Sequence, residues 1–153
     1  MKKARTPSTS ATSASMAACP CGGAPDVGVG ALFELCCGRY LGNDLATPAP
    51  TPEALMRSRY SAFVRAHEAY LLATWHTSTR PPIALSRDGT QWLGLQVKRT
   101  SSEDEQGVVE FVARYKLQGR AHRLHEVSRF VREQGRWYYL DGEHPDPKAT
   151  AAN

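Results

Sequence analysis

Four cysteines carry the most specific chemistry in this 153-residue chain, and all of them fall between positions 19 and 37. Cys19-Pro20-Cys21 is followed by fourteen residues and then by Cys36-Cys37. Two close pairs separated by a loop are what a tetrahedral thiolate site requires, because each pair supplies two ligands to one ion. Soft sulfur ligands select zinc or an iron–sulfur centre over magnesium or calcium. Disulfides are a competing use of the same thiols. Pairing within either close pair would be strained, so the bridges would have to cross, and they need an oxidising compartment. A redox pair would want the helix-opening C-x-x-C spacing, which is missing. Ligand type and count favour a closed structural zinc site on Cys19, Cys21, Cys36 and Cys37.

The second candidate is a carboxylate. The segment from Leu124 to Arg132 reads as a strand, with Leu124, Glu126, Ser128, Phe130 and Arg132 on one face and His125, Val127, Arg129 and Val131 on the other. If Leu124 and Phe130 face the core, Glu126 and Ser128 face it too, because strand side chains alternate. A carboxylate taken out of water needs a partner. Arg57, Arg59, Arg80 and His76 are the candidates, and Glu126 with His76 would make a usable acid/base pair. The competing reading is a structural ion pair between helix and sheet. His76, which follows Trp75 at an expected helix end, could equally serve the carbonyl end of that helix. Arg57, Arg59 and Arg65 read as a solvated helix face, with phosphate contact as the weaker alternative.

Elements must hold these residues in place. Thr47-Pro48-Ala49-Pro50-Thr51-Pro52 reads as a stiff extended linker. Thr51 suits a helix N-cap and Pro52 the first helical position. Leu55, Met56, Tyr60, Phe63 and Val64 then recur at helical spacing, and the pattern continues or restarts through Tyr70, Leu71 and Trp75 until Arg80-Pro81-Pro82 stops it. From Gln91 the period becomes two. Leu93, Leu95 and Val97 form one face of a first strand and Val109, Phe111, Ala113, Tyr115 and Leu117 one face of a second. A third strand covers Leu124 to Arg132 and a fourth Arg136 to Leu140. The connections Ser101–Gly107, Gly119–His122 and Gln134-Gly135 are short, which implies antiparallel pairing. The expected fold class is α+β: a small N-terminal four-cysteine zinc knuckle, then helices packed on a curved four-stranded antiparallel sheet.

Several of these segments resemble a known family. Cys19-Pro20-Cys21-Gly22-Gly23 with Cys36-Cys37 resembles the SEC-C motif, the zinc-binding element at the C-terminus of the translocation ATPase SecA. The run Leu55-Met56-Arg57-Ser58-Arg59-Tyr60-Ser61-Ala62-Phe63 is similar to the YchJ family of bacterial SEC-C proteins. So are Thr74-Trp75-His76, His125-Glu126-x-Ser128-x-Phe130 and Gly135-x-Trp137-x-Tyr139-x-Asp141-Gly142. The resemblance covers residues 19 to about 143. It implies a nuclear-transport-factor-2-like domain in which a curved sheet wraps helices around a pocket. It also implies a protein or ribosome partner for the knuckle. The family's spacer between the cysteine pairs is shorter than the one here, which carries Gly28 and Gly30.

The resulting organisation is a disordered tail (1–18), a knuckle (19–46), a linker (47–52), the nuclear-transport-factor-2-like domain (53–143) and a second tail (144–153). The linker is expected to separate knuckle from sheet, so that loss of Cys36 or Cys37 unfolds the knuckle alone. Apolar residues make up 41% and charged residues 22% of the chain, as in globular proteins. No apolar run is long enough to span a membrane. The first residues, basic and rich in Ser and Thr, lack the apolar core of a secretory signal, which points to the cytoplasm. The net charge of +4 comes mostly from Lys2, Lys3 and Arg5, so nucleic acid is weakly supported as a partner. Two functions remain: a zinc-bound interaction module, or a small hydrolase or proton-transfer enzyme using Glu126 and His76. Neither substrate nor oligomeric state is specified.

Overall fold

In the computed structural model, residues 17–42, 45–82 and 89–145 are described. The expected tail at 1–15 and most of the one at 144–153 lie outside them. Ala17 and Ala18 belong to the knuckle rather than to the tail: Phe33 N–H donates to the Ala17 carbonyl at 2.8 Å and Ala18 bridges Leu32. A 3-10 turn at Phe33–Leu35 and a short helix α1 (Gly38–Leu41) complete the cysteine region. Helix α2 (Pro52–Val64) and helix α3 (Glu68–Ala73) follow. The strands are β1 (Thr90–Glu103), β2 (Gln106–Leu117), β3 (Arg120–Glu133) and β4 (Arg136–Glu143), paired antiparallel in the order β1-β2-β3-β4.

The start of α2 follows the capping chemistry of Thr51-Pro52. The Thr51 hydroxyl accepts from the Ala54 N–H at 3.0 Å, and Pro52 occupies the first turn. The helix stops at Val64, where Ala66 turns the chain with a φ of 57°. It restarts with His67, whose side chain caps α3 by accepting from Tyr70 N–H. α3 ends at Ala73, short of the expected Trp75. The next residues form an extended strap along β4: Tyr139 N–H donates to the Thr74 carbonyl and His76 N–H to the Tyr139 carbonyl, both at 2.8 Å.

The hairpin between β2 and β3 turns on Gln118-Gly119, and the one between β3 and β4 on Gln134-Gly135. Both residues of each pair have positive φ, the turn geometry that matches strand twist. β1 runs on to Glu103, beyond the expected loop start at Ser101. It also breaks its own alternation. The register with β2 shifts between Trp92 and Gly94 and again between Val97 and Arg99. The first shift puts Trp92 on the inner face with Leu95 and leaves Leu93 about half exposed. Leu93 was expected on the apolar face; the bulge removes it. The β2–β3 ladder has no such shift, so Glu126, Ser128 and Phe130 do share the inner face.

α2 packs against β1, β2, β4, α1 and α3. It is buried nearly all round, Ser58, Arg59 and Ser61 included, so it lacks the solvated arginine face expected of it. The cysteines, Phe33, Leu55, Tyr60, Phe130 and Trp137 form one continuous core. The Pro-rich segment therefore does not isolate the knuckle from the sheet, because α2 presents one side to each.

Candidate metal centre and pocket

The four cysteine sulfurs converge to within 4.8 Å of one another, and all four residues are buried. Cys21 Sγ lies 3.8 Å from Cys19 Sγ and 3.6 Å from Cys36 Sγ. The chain folds this way because Gly23 has a φ of 113° and a Cβ there would strike the Gly28 carbonyl. Only glycine lets the spacer fold back so closely. The extra length of the spacer loops outward, leaving Val29 98% exposed, with Val27 and Leu35 also exposed.

Hydrogen-bond donors surround the sulfurs. Gly23 N–H points at Cys21 Sγ at 3.4 Å and Ala24 N–H at Cys36 Sγ at 3.3 Å. Arg57 Nη1 donates to the Cys21 carbonyl at 2.9 Å and lies 3.7 Å from its sulfur, while Ser61 Oγ is 3.5 Å from Cys19 Sγ. Arg57 is half-buried; burial alone would lower its basicity, but hydrogen bonds to Glu53 and Cys21 raise it instead. The packed thiols share protons unevenly, as coupled groups do. Hydrogen bonding to Cys19 is the first cause that pushes Cys21 up to about 11 and Cys37 above the ordinary thiol range, with burial adding to it. Side-chain hydrogen bonding with Cys21, and then with Cys37, takes Cys19 below that range. A bound cation would favour the thiolate form at every sulfur. The set can hold one metal ion, with oriented donors behind the ligands.

The opposite side of α2 faces a cavity of about 240 Å³ between helix and sheet. Met56, Tyr60, Phe63, Trp92, Phe111 and Leu124 give it apolar walls. Two charged groups reach it. Glu126 Oε2 accepts from Ser128 Oγ and from Tyr139 OH, each at 2.8 Å. Its seat requires glycine opposite, since a Cβ at Gly142 would strike the carboxylate. Gly142 is turned inward by a one-residue bulge at Leu140, which sends Asp141 outward to pair with Arg129 at 2.6 Å. Burial, and then the Glu126 charge, hold Tyr139 well above the ordinary phenol range.

Arg59 is the second charged group. Only 5% exposed, it donates through Nη1 to the Leu71 carbonyl and to Thr74 Oγ1, both at 2.8 Å. Its guanidinium lies 4.6 Å from the Tyr139 ring centroid and 5.1 Å from that of Trp75. Burial lowers its pKa to about 10.

The structure brings Cys19, Cys21, Cys36 and Cys37 together. It does not bring His76 to Glu126. The strap along β4 carries His76 to the outer side, where Nε2 meets Glu133 Oε2 at 2.9 Å and Nδ1 meets Ser78 Oγ at 2.8 Å. His76 does not line the cavity, so the expected acid/base pair is not formed. Nor do Arg57, Arg59 and Arg65 make one patch: Arg57 faces the cysteines, Arg59 the cavity, and Arg65 lies over the Phe33 ring at 4.1 Å. Tyr139 as the partner of Glu126 is not among the candidates that the sequence offers. The signal was its parity with Trp137 on β4.

A four-cysteine knuckle packed on a helix that also faces a curved antiparallel sheet defines a SEC-C motif protein with an NTF2-like domain. The family described as YchJ, middle NTF2-like domain, matches residues 51–142. A UPF0225 protein from Chromobacterium violaceum is 58% identical over 132 residues, covering 82% of this chain and 92% of the relative. Another, from Methylibium petroleiphilum, is 56% identical over 134 residues, covering 86% and 91%. Two solved structures share the fold. The solution structure of a SEC-C motif containing protein from Rhodopseudomonas palustris has a TM-score of 0.69 at 33% identity, covering 78% of this chain and 96% of the other. The crystal structure of a SEC-C motif containing protein from Psychrobacter arcticus has a TM-score of 0.69 at 29% identity, covering 84% and 82%. The chain belongs to the YchJ family.

Proposed function

We propose that Cys19, Cys21, Cys36 and Cys37 hold one zinc ion and that the knuckle so formed is a docking surface for a protein partner, the ribosome first among those to test. The observation that carries the zinc reading is the convergence of the four sulfurs. Tetrahedral zinc with bonds of about 2.3 Å sets its sulfurs about 3.8 Å apart, and two of the separations here are 3.8 and 3.6 Å. Four protein ligands leave no open position for water, so the ion is structural. Free thiols held this way suit the reducing cytoplasm. The docking reading draws on the outward spacer, where Val27, Val29 and Leu35 lie exposed. Among the described residues no helix is long and apolar enough to cross a membrane.

Elemental analysis of protein purified under reducing conditions without chelator tests the metal: one zinc per chain is expected, and its absence would end the zinc reading. Cosedimentation with purified ribosomes tests the partner. Binding that Val29→Asp with Leu35→Asp abolishes, at unchanged zinc content, supports the spacer as the contact surface. No cosedimentation at moderate salt would exclude the ribosome.

A further inference from the structure

The cavity beneath α2 holds two opposite charges that do not neutralise each other directly. Among the described residues no ion pair joins Arg59 to Glu126, although both line the same 240 Å³ space. Tyr139 stands between them, its ring under Arg59 and its hydroxyl on Glu126. Arg59 spends only Nη1 on protein acceptors, and no acceptor among the described residues meets Nε or Nη2. Glu126 likewise uses only Oε2. A guanidinium has five donors and a carboxylate about four acceptor sites, so each group keeps unused capacity. None of these unused atoms is sealed away without a partner, so each is open to a group that enters the cavity.

We propose that the cavity is a binding site for a small ring-bearing molecule of zero net charge, whose polar edge offers an acceptor to Arg59 and a donor to Glu126. Size sets the first limit. The volume lies just below the range of drug-sized pockets, enough for one ring with a short substituent. Aromatic walls at Phe63, Trp92 and Phe111 suit the face of such a ring. Charge sets the second limit. Arg59 and Glu126 balance, so an anion or a cation would leave one charge unmatched in a mostly apolar site. A neutral amide edge, or a zwitterion, satisfies both. The metal plays no part in this recognition, which stands or falls independently of the zinc reading.

Benzamide, benzoate and benzylamine share one ring and differ in charge. Each would be titrated into the full-length ¹⁵N-labelled protein. The indole N–H signals of Trp75 and Trp92, which line the cavity, report binding, and that of Trp137, which does not line it, is the control. Benzamide is expected to shift the first two and to bind about tenfold more tightly than either charged analogue. Glu126→Gln keeps an acceptor for Ser128 and Tyr139 but leaves Arg59 unbalanced. Its preference should turn to benzoate, again by about tenfold. Arg59→Gln should turn it toward benzylamine; if that variant fails to fold, the Glu126→Gln result decides alone. The proposal is overturned if benzamide leaves Trp75 and Trp92 unmoved up to its solubility limit. It is equally overturned if the three probes rank the same in the native protein and in Glu126→Gln.

Discussion

The two sides of α2 face sites of opposite construction. On the knuckle side, every ligand comes from one short run of chain, and backbone N–H groups supply much of the polar support. On the sheet side, the lining is gathered from Met56 on the helix to Tyr139 on the last strand, and its two charges rely on side-chain hydroxyls and carbonyls. The first site is complete once an ion arrives. The second is an apolar space whose polar groups face inward with capacity to spare. A single helix can serve both because it places small Ser61 against Cys19 on one side, at 3.5 Å, and Tyr60 and Phe63 toward the cavity on the other. The metal region is consequently part of the main core rather than an appendage.

The largest expected effect would break this continuity. Cys37→Ser should lower the stability of the whole chain by more than about 4 kcal/mol, the level at which single changes signal loss of a metal or of core packing. Tryptophan fluorescence from Trp92 and Trp137 on the sheet should move with the knuckle in a single unfolding transition. An unchanged sheet midpoint would mean that the two sides fold independently. Next comes Phe130→Ala, which empties the sheet side alone. It should cost about 3–5 kcal/mol in urea unfolding while the folded protein keeps its full metal content. Gly142→Ala is gentler. The new Cβ displaces the Glu126 carboxylate, at a cost of about 1–3 kcal/mol, and removes one cause of the high Tyr139 pKa. Ultraviolet titration at alkaline pH should find that tyrosine ionising earlier than in the native protein, though still late because burial remains.

The smallest effect belongs to neither side. Arg129, on the outer face, holds the Asp141 carboxyl below its ordinary range. A depressed carboxyl stabilises the fold at pH above its unfolded pKa, and the contribution is lost as pH falls through the folded value. Asp141→Asn should therefore differ slightly from the native protein at neutral pH in thermal unfolding, and the two should coincide in strong acid. High salt should shrink the difference.

Legibility followed locality. The cysteine cluster could be read directly because its ligands are neighbours in sequence and share one chemistry. The inner face of β3 could be read because its ladder with β2 has no irregularity, so parity held from Leu124 to Phe130. Leu93 could not, since a bulge is a property of pairing with β2 and leaves little trace in β1 itself. The burial of Ser58, Arg59 and Ser61 escaped notice for a related reason. Polar residues on a helix read as solvated until a second layer is known to cover them, and here the knuckle covers Ser61, α3 covers Ser58, and α3 with the strap and β4 covers Arg59. His76 was misplaced because its direction depends on the strap pairing with Tyr139, a contact between distant segments.

That strap has a further consequence. An open sheet ends in rows of unpaired N–H and C=O groups, which can template another chain. On β4 the row is occupied at Tyr139, where the strap takes both the N–H and the carbonyl. On β1 the row is kinked twice, at Leu93 and at Lys98, and the second kink carries a charge. A second copy would meet an edge occupied at Tyr139 on one side and a twice-bent edge carrying Lys98 on the other. Both borders thus carry a device that works against strand-by-strand growth into a larger sheet.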